Sequence, residues 1–174
     1  IIKKLLIIGC GKLGQGIGKS LAELPIEIVG IKRKLPKITP RFEILALDIF
    51  SDKFSSNVSF ISPDFVIYCV SSDSQTEEGY QKNYVEGLKI TIKVLSQLDN
   101  FQHLFFVSST RVYGQVTENF LSESINPQPS DYGGRALLDA EKCLKKTLFK
   151  STILRLSGIY GDDRHHMLGI ASDI

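Results

Sequence analysis

The sequence predicts one doubly wound α/β domain, a parallel sheet covered by helices on both faces. Three observations predict it. Short apolar runs alternate along the chain with segments of helical spacing. The runs are apolar throughout rather than at every second residue, as strands buried on both faces must be. A glycine-rich turn joins the first run to the first helical segment. With right-handed crossovers, that alternation gives three layers around a single sheet.

Residues 3–9 (KKLLIIG) are too few for a helix and read as the first strand. Residues 11–24 follow with Leu13, Ile17, Leu21 and Leu24 on one helical stripe, stopped by Pro25. Residues 26–31 (IEIVGI) are the second strand. Residues 32–40, with Pro36 and Pro40, form a loop, and residues 42–47 (FEILAL) the third strand. A polar, serine-rich stretch leads to the fourth strand at 64–70. Residues 77–98 are the longest helical segment, with Tyr84, Leu88, Ile92 and Leu95 on one stripe. Residues 103–107 (HLFFV) are the fifth strand, ending in Ser108-Ser109-Thr110. A turn-rich loop with Pro127 and Pro129 precedes a helix over 132–148, and residues 151–156 (STILRL) are the sixth strand.

The bulk properties narrow the function classes. At 174 residues, 43% hydrophobic and 23% charged, the chain fits one soluble domain. A net charge of +2 with no long basic run argues against a nucleic-acid or membrane binder. Cys10, Cys69 and Cys143 are widely spaced and form no Cys-x-x-Cys pair, which fits a reducing cytoplasm rather than a disulfide framework. His165-His166 reads as a solvated pair, since no cysteine or carboxylate is spaced to share a metal with it; no metal site is expected.

Gly9-Cys10-Gly11-Lys12-Leu13-Gly14 fits G-x-G-x-x-G. The pattern is common, but here it follows a buried strand, opens a helix and is followed by a second strand. Gly9 would permit the tight turn, Gly11 the approach of a pyrophosphate, and Gly14 close helix–strand packing. The helix start, including Lys12 and Leu13, would supply unpaired amides and the positive dipole end. The expectation is a Rossmann-type dinucleotide site. The second strand ends in Lys32-Arg33-Lys34 rather than in the carboxylate that would bind a ribose diol. Basic residues there favour a 2′-phosphate, so NADP is favoured over NAD, with Arg33 the fork-shaped partner; a solvated basic turn is the alternative.

Further motifs carry a resemblance. Residues 107–114 (VSSTRVYG) resemble the S-S-x-x-V-Y-G signature of extended short-chain dehydrogenases/reductases, the NAD-dependent epimerase/dehydratase family. Residues 83–87 (NYVEG) look like its N-x-x-x-G segment, and residues 154–161 (LRLSGIYG) like its L-R-x-x-x-x-Y-G stretch. The resemblance implies that Asp48 contacts the adenine, and that Cys69, Val70 and Ser71 line the cofactor near its ribose and nicotinamide. It implies that Ser109 holds the substrate hydroxyl or carbonyl. Each has a plainer alternative: Asp48 as a helix cap, Cys69 as a buried small residue, Ser109 as a partner for backbone at a strand end.

The departure from the family pattern is at Y-x-x-x-K. Tyr132 stands at about the place of the family's base, but position 136 is alanine. A tyrosine of pKa about 10 needs about 4 kcal/mol of differential stabilisation to ionise at neutrality. Arg135 is the only cation within a helical turn, and Arg111 is paired structurally or faces an anionic substrate. Catalytic roles for Ser109 and Tyr132 are therefore weighed against an atypical member that has lost redox chemistry.

Two readings follow. One is an NAD(P)-dependent oxidoreductase or epimerase/dehydratase acting on a nucleotide sugar or another small hydroxyl/carbonyl compound. The other is an inactive dinucleotide-binding module that senses cofactor or regulates a partner. The cofactor-binding domain is expected over 1–161. Residues 162–174 read as the start of a truncated or unseen C-terminal substrate-binding region. A homodimer through the 77–98 and 132–148 helices is the expected assembly.

Overall fold

The structure, a computed structural model, describes residues 2–38, 40–114 and 120–159. Six parallel strands form one sheet in the order β3-β2-β1-β4-β5-β6. They are β1 (Lys3–Ile8), β2 (Ile26–Lys32), β3 (Glu43–Ala46), β4 (Phe65–Tyr68), β5 (His103–Ser109) and β6 (Lys150–Leu156). The strand order reverses between β1 and β4, so the loops leaving their carboxyl ends diverge and open a crevice there.

The helices are α1 (Lys12–Leu21), α2 (Phe54–Ile61), α3 (Glu77–Tyr80), α4 (Gly87–Leu95) and α5 (Tyr132–Leu144). On one face, a continuous core packs Leu6, Ile8, Val66 and Phe106 of the sheet against Val58, Leu88, Leu95, Leu137 and Leu144 of the helices. Each such fully buried side chain contributes about 1.5–3 kcal/mol. On the other face, Ile17 and Leu21 of α1 pack on Leu5, Ile7 and Ile28, while Phe105 and Val107 stay only half-buried. The central strands are buried on both faces as expected; β5 instead alternates, because its second face has less cover among the described residues.

Three elements differ from the sequence reading. The serine-rich stretch contains α2, whose Phe54, Val58 and Ile61 fall on one helical stripe and are all buried. The helix expected over 77–98 is interrupted by a π-helical stretch at Gln81–Glu86. Its cause is a buried hydroxyl: Tyr68 donates to the Asn83 carbonyl at 2.5 Å, and Asn83 Nδ2 donates to the Gly79 carbonyl at 2.9 Å. Those bonds disturb the regular ladder, and a Cβ at Gly87 would lie 2.5 Å from the same hydroxyl. Finally, α5 stops at Leu144, and Leu148 beyond it is exposed.

The amino-terminal edge of the sheet is tied by Asp64, a buried carboxylate. It accepts from Lys3 Nζ at 2.7 Å, from the Lys4 amide at 2.9 Å and from Gln102 Nε2 at 3.2 Å. No helix among the described residues is long and apolar enough to cross a membrane.

Candidate functional site

The site grows from the turn after β1. Gly9 adopts φ +83°, and a Cβ there would lie 2.6 Å from the Val70 backbone, so only glycine fits. The Gly9 and Cys10 amides both donate to the Ile31 carbonyl, at 3.0 and 2.9 Å, which pins the turn to the end of β2. Gly11 is the N-cap of α1 with an ordinary φ of −78° and no side-chain capping bond. A Cβ at Gly11 would meet nothing nearer than the Gly9 carbonyl at 3.9 Å. The path to the amino end of α1 is therefore open, as an approaching anion requires. Gly14 does the packing: a Cβ there would come within 2.9 Å of Ile7 Cγ2 and 3.2 Å of Cys69 Sγ.

Two clefts meet at this turn and share Gly9, Gly11, Val70 and Ser71. The first lies over the β2 side and is lined by Lys32, Arg33, Asp48, Asp73 and Lys82 among others. The second lies over the β5 side and is lined by Lys12, Leu13, Cys69, Tyr84, Ser109 and Leu137 among others. Joined across the β1/β4 switch point, they form one crevice along the carboxyl ends of the strands. The glycine turn, Lys12, Leu13, Lys32, Arg33, Asp48, Cys69, Val70, Ser71 and Ser109 all border it, except Gly14, which is buried behind it.

Several of these side chains also have local work. Asp48 Oδ1 accepts the Phe50 amide at 2.9 Å, an Asx turn after β3. Ser109 Oγ accepts the Arg111 amide at 3.1 Å, capping a short 3-10 turn while lining the cleft. Cys69 Sγ donates to the Gly9 carbonyl at 3.3 Å. Burial pushes its thiol up to about 12, helped by the neighbouring Cys10. Arg33 donates through both Nη atoms to both oxygens of Asp73, across the rim of the first cleft.

Tyr132 lines neither cleft, whereas Ser109 lines the second. Its hydroxyl donates to the Gln75 carbonyl at 2.5 Å, and its ring meets Tyr80 edge-on with centroids 5.5 Å apart. Arg111 sits beside both rings, its Nε donating to Asp131 at 2.9 Å and its Nη1 to the Tyr80 hydroxyl at 2.7 Å. Arg135 is exposed and Ala136 is buried in the core. The residue of α5 that reaches the cleft is Leu137. One turn earlier, a Cβ at Gly133 would lie 2.4 Å from the Arg111 guanidinium carbon, so the arginine occupies that space.

The sequence reading missed three contributors. Asp73 lies in a serine-rich loop without a motif. Leu137 and Tyr84 were legible only as apolar helix positions. Tyr84 keeps its proton, because burial and the adjacent Tyr80 raise its pKa against the opposing pull of the Ser72 amide and Arg111. His165, His166 and the 162–174 segment lie outside the described residues, as do Tyr160 and Gly161 of the sixth-strand motif. Among the described residues no group of His, Cys, Asp and Glu is placed to hold a metal ion.

A search among curated proteins finds no match. The sequence model of the NAD dependent epimerase/dehydratase family matches residues 5–171. A solved protein of Methylobacillus flagellatus, described as an NAD-dependent epimerase/dehydratase, is 36% identical with a TM-score of 0.84, over 98% of this chain and 60% of its own. UDP-glucuronic acid 4-epimerase from Bacillus cereus, solved with NAD, gives 20% identity and a TM-score of 0.78 over 93% of this chain and 59% of its own. UDP-glucose 4-epimerase from Brucella ovis, also solved with NAD, gives 20% and 0.82 over 92% and 54%. The last two share the fold. The chain spans about 60% of the length of the first of these structures.

Proposed function

The chain belongs to the NAD-dependent epimerase/dehydratase family, and on that premise we propose that its crevice binds a nicotinamide dinucleotide for oxidoreduction or epimerisation/dehydration of a small hydroxyl or carbonyl compound, a nucleotide sugar foremost. The carrying observation is the continuity of the two clefts through the Gly9–Gly11 turn. The fit is chemical as well as geometric. Gly11 leaves the amino end of α1 open to a pyrophosphate. Asp48, Lys32 and Arg33 face the first cleft, where an adenosine half would lie, and Cys69, Val70, Ser71 and Ser109 border the second.

A nicotinamide held there by the residues of the crevice would supply hydride transfer. The chain's own residues do the rest. Ser109 orients a substrate oxygen from the end of β5, and Tyr84 offers a hydroxyl that stays protonated. Tyr132, nominated by the family pattern for proton exchange, has to release the Gln75 carbonyl before it can reach the cleft. NADP remains the favoured partner because the rim carries Lys32 and Arg33 and the diol-binding carboxylate at the end of β2 is missing; the NAD found in solved neighbours is the competing choice. Pairing of two chains through the outer faces of α4 and α5 belongs to the same reading and is checked by gel filtration.

Calorimetric titration with NADPH and, separately, NADH tests the proposal. The expected result is saturable binding of at least one, lost in Gly11→Ala with the unfolding temperature retained. Absence of binding by either dinucleotide overturns it.

A further inference from the structure

We propose that Asp73 is a specificity-determining residue of the crevice: it holds the Arg33 guanidinium as an internal competitor of a 2′-phosphate, so that NADPH is taken up only by displacing this ion pair. The inference rests on the cofactor reading above and adds to it a residue that tunes the choice between the two dinucleotides.

The pair links two loops forty positions apart in sequence. Arg33 follows β2, and Asp73 follows β4. Both Nη atoms of Arg33 are spent on the two oxygens of Asp73, the fork-on-fork arrangement that a phosphate would also need. The end-on edge of the guanidinium, the one turned away from its own stem, is thereby taken, so a phosphate approaching that edge competes with the carboxylate.

Asp73 is presented by a built turn. Ser72 Oγ donates to the Ser74 carbonyl at 2.7 Å, and the Ser74 and Thr76 hydroxyls share a bond of 2.9 Å. Thr76 caps α3 by accepting the Gly79 amide at 3.1 Å. Gly79 is needed for this: a Cβ there would lie 2.2 Å from Ser74 Oγ. The carboxylate is thus held in place by the start of α3. The Arg33 hydrogen bond keeps its pKa below the ordinary value against partial burial, so it stays charged at neutral pH.

The pair can still open. The two side chains are 55% and 51% exposed, which limits the worth of the bond through solvent screening. The first cleft carries three cations, Lys32, Arg33 and Lys82, against two carboxylates, Asp48 and Asp73. A phosphate dianion gains from Arg33 and Lys32 what the single charge of Asp73 gives up. A ribose diol offers no such exchange, so NADH leaves the pair closed.

A double-mutant cycle read by calorimetry at fixed ionic strength tests this. Affinities for NADPH and NADH are measured for the wild type, Asp73→Asn, Arg33→Ala and the double variant. Asp73→Asn is expected to raise the NADPH-to-NADH affinity ratio about threefold, the worth of an exposed pair. In the Arg33→Ala background the same change should leave the ratio unaltered. An unchanged or lower ratio in Asp73→Asn overturns the inference while leaving the cofactor reading intact. An equal gain with and without Arg33 also overturns it, since that is removal of a bulk negative charge. Failure of the wild type to bind either dinucleotide removes both readings together.

Discussion

Glu141, fully buried on α5, accepts two hydrogen bonds from Arg155 on β6, from Nε at 3.0 Å and from Nη2 at 2.6 Å. A third comes from Ser108 Oγ at 2.7 Å, one residue before Ser109. Arg155 also donates to the Tyr113 hydroxyl. The bond to Glu141 raises the Arg155 pKa further above its already high ordinary value, against burial. One carboxylate therefore joins α5, β5 and β6 immediately behind the second cleft, which Ser108 helps to line.

Removing one partner of that pair should be far worse than removing both. Glu141→Ala leaves a guanidinium that is mostly buried and unpaired, a loss of about 3–5 kcal/mol. A double variant, Glu141→Leu with Arg155→Met, should recover most of it. Urea unfolding of the single and double variants measures the difference. Equal losses in both would mean that packing volume, and not the charge pair, holds β6 to α5.

The glycine turn yields a separation between folding and binding. Gly9→Ala forces a side chain into φ +83° and against the Val70 backbone at 2.6 Å, so it should cost more than about 2 kcal/mol and lower the unfolding temperature. Gly11→Ala meets open space and an ordinary φ, so its stability should stay within about 0.5 kcal/mol of wild type. Only dinucleotide affinity should fall. A Gly11→Ala variant that binds normally would show that the pyrophosphate does not approach at that amide.

What could be read from the sequence depended on whether the signal was local. Sheet class and the glycine turn after β1 were legible because buried strands and G-x-G-x-x-G are contiguous patterns. Helix α2 was hidden behind its serines, although Phe54, Val58 and Ile61 already carried the helical stripe. The π-helical stretch was illegible, since its cause is a hydroxyl from β4, fifteen residues away from Asn83. Arg33 stood out as a basic residue, but its pairing with Asp73 is a long-range event between two loops. On α5, spacing from Tyr132 picks out Ala136, which packs into the core, while the neighbouring Leu137 lines the second cleft.

The placement of Tyr132 is testable. In the observed arrangement Tyr132→Phe loses one hydrogen bond to the Gln75 carbonyl, about 0.5–1.5 kcal/mol of stability. Dinucleotide affinity should hold within about twofold, because the residue does not line the crevice. A much larger drop in affinity would show that Tyr132 swings into the crevice on binding.

Cys10, buried in the glycine turn, and Cys69, lining the second cleft, should be poor nucleophiles. Burial raises Cys10 to about 11, opposed by Lys32, and raises Cys69 to about 12. At pH 8 the thiolate fraction is then on the order of one in a thousand and one in ten thousand. Iodoacetamide labelling followed by mass spectrometry should leave both unmodified until urea is added. Rapid labelling of Cys69 in the native protein would contradict the burial that holds its thiol against Gly9.

Acid stability should depend on Asp64. Burial pushes its carboxyl up, but the bonds from Lys3 and the Lys4 amide, with the charges of both lysines, outweigh burial and hold it below its ordinary 3.8. A carboxyl depressed in the folded state binds its proton more tightly when unfolded, so stability rises with pH across that interval. The contribution is complete above about pH 5 and is lost as pH falls below 3.8 through the folded value. Asp64→Asn should cost about 1–3 kcal/mol at pH 7, the worth of hydrogen bonds to a charged group. It should also flatten the fall in stability between about pH 5 and pH 3. Urea midpoints across that range for both proteins measure it. A slope unchanged by Asp64→Asn would place the acid sensitivity on another depressed carboxyl, with Asp131 beside Gly134 and Arg111 the next to test.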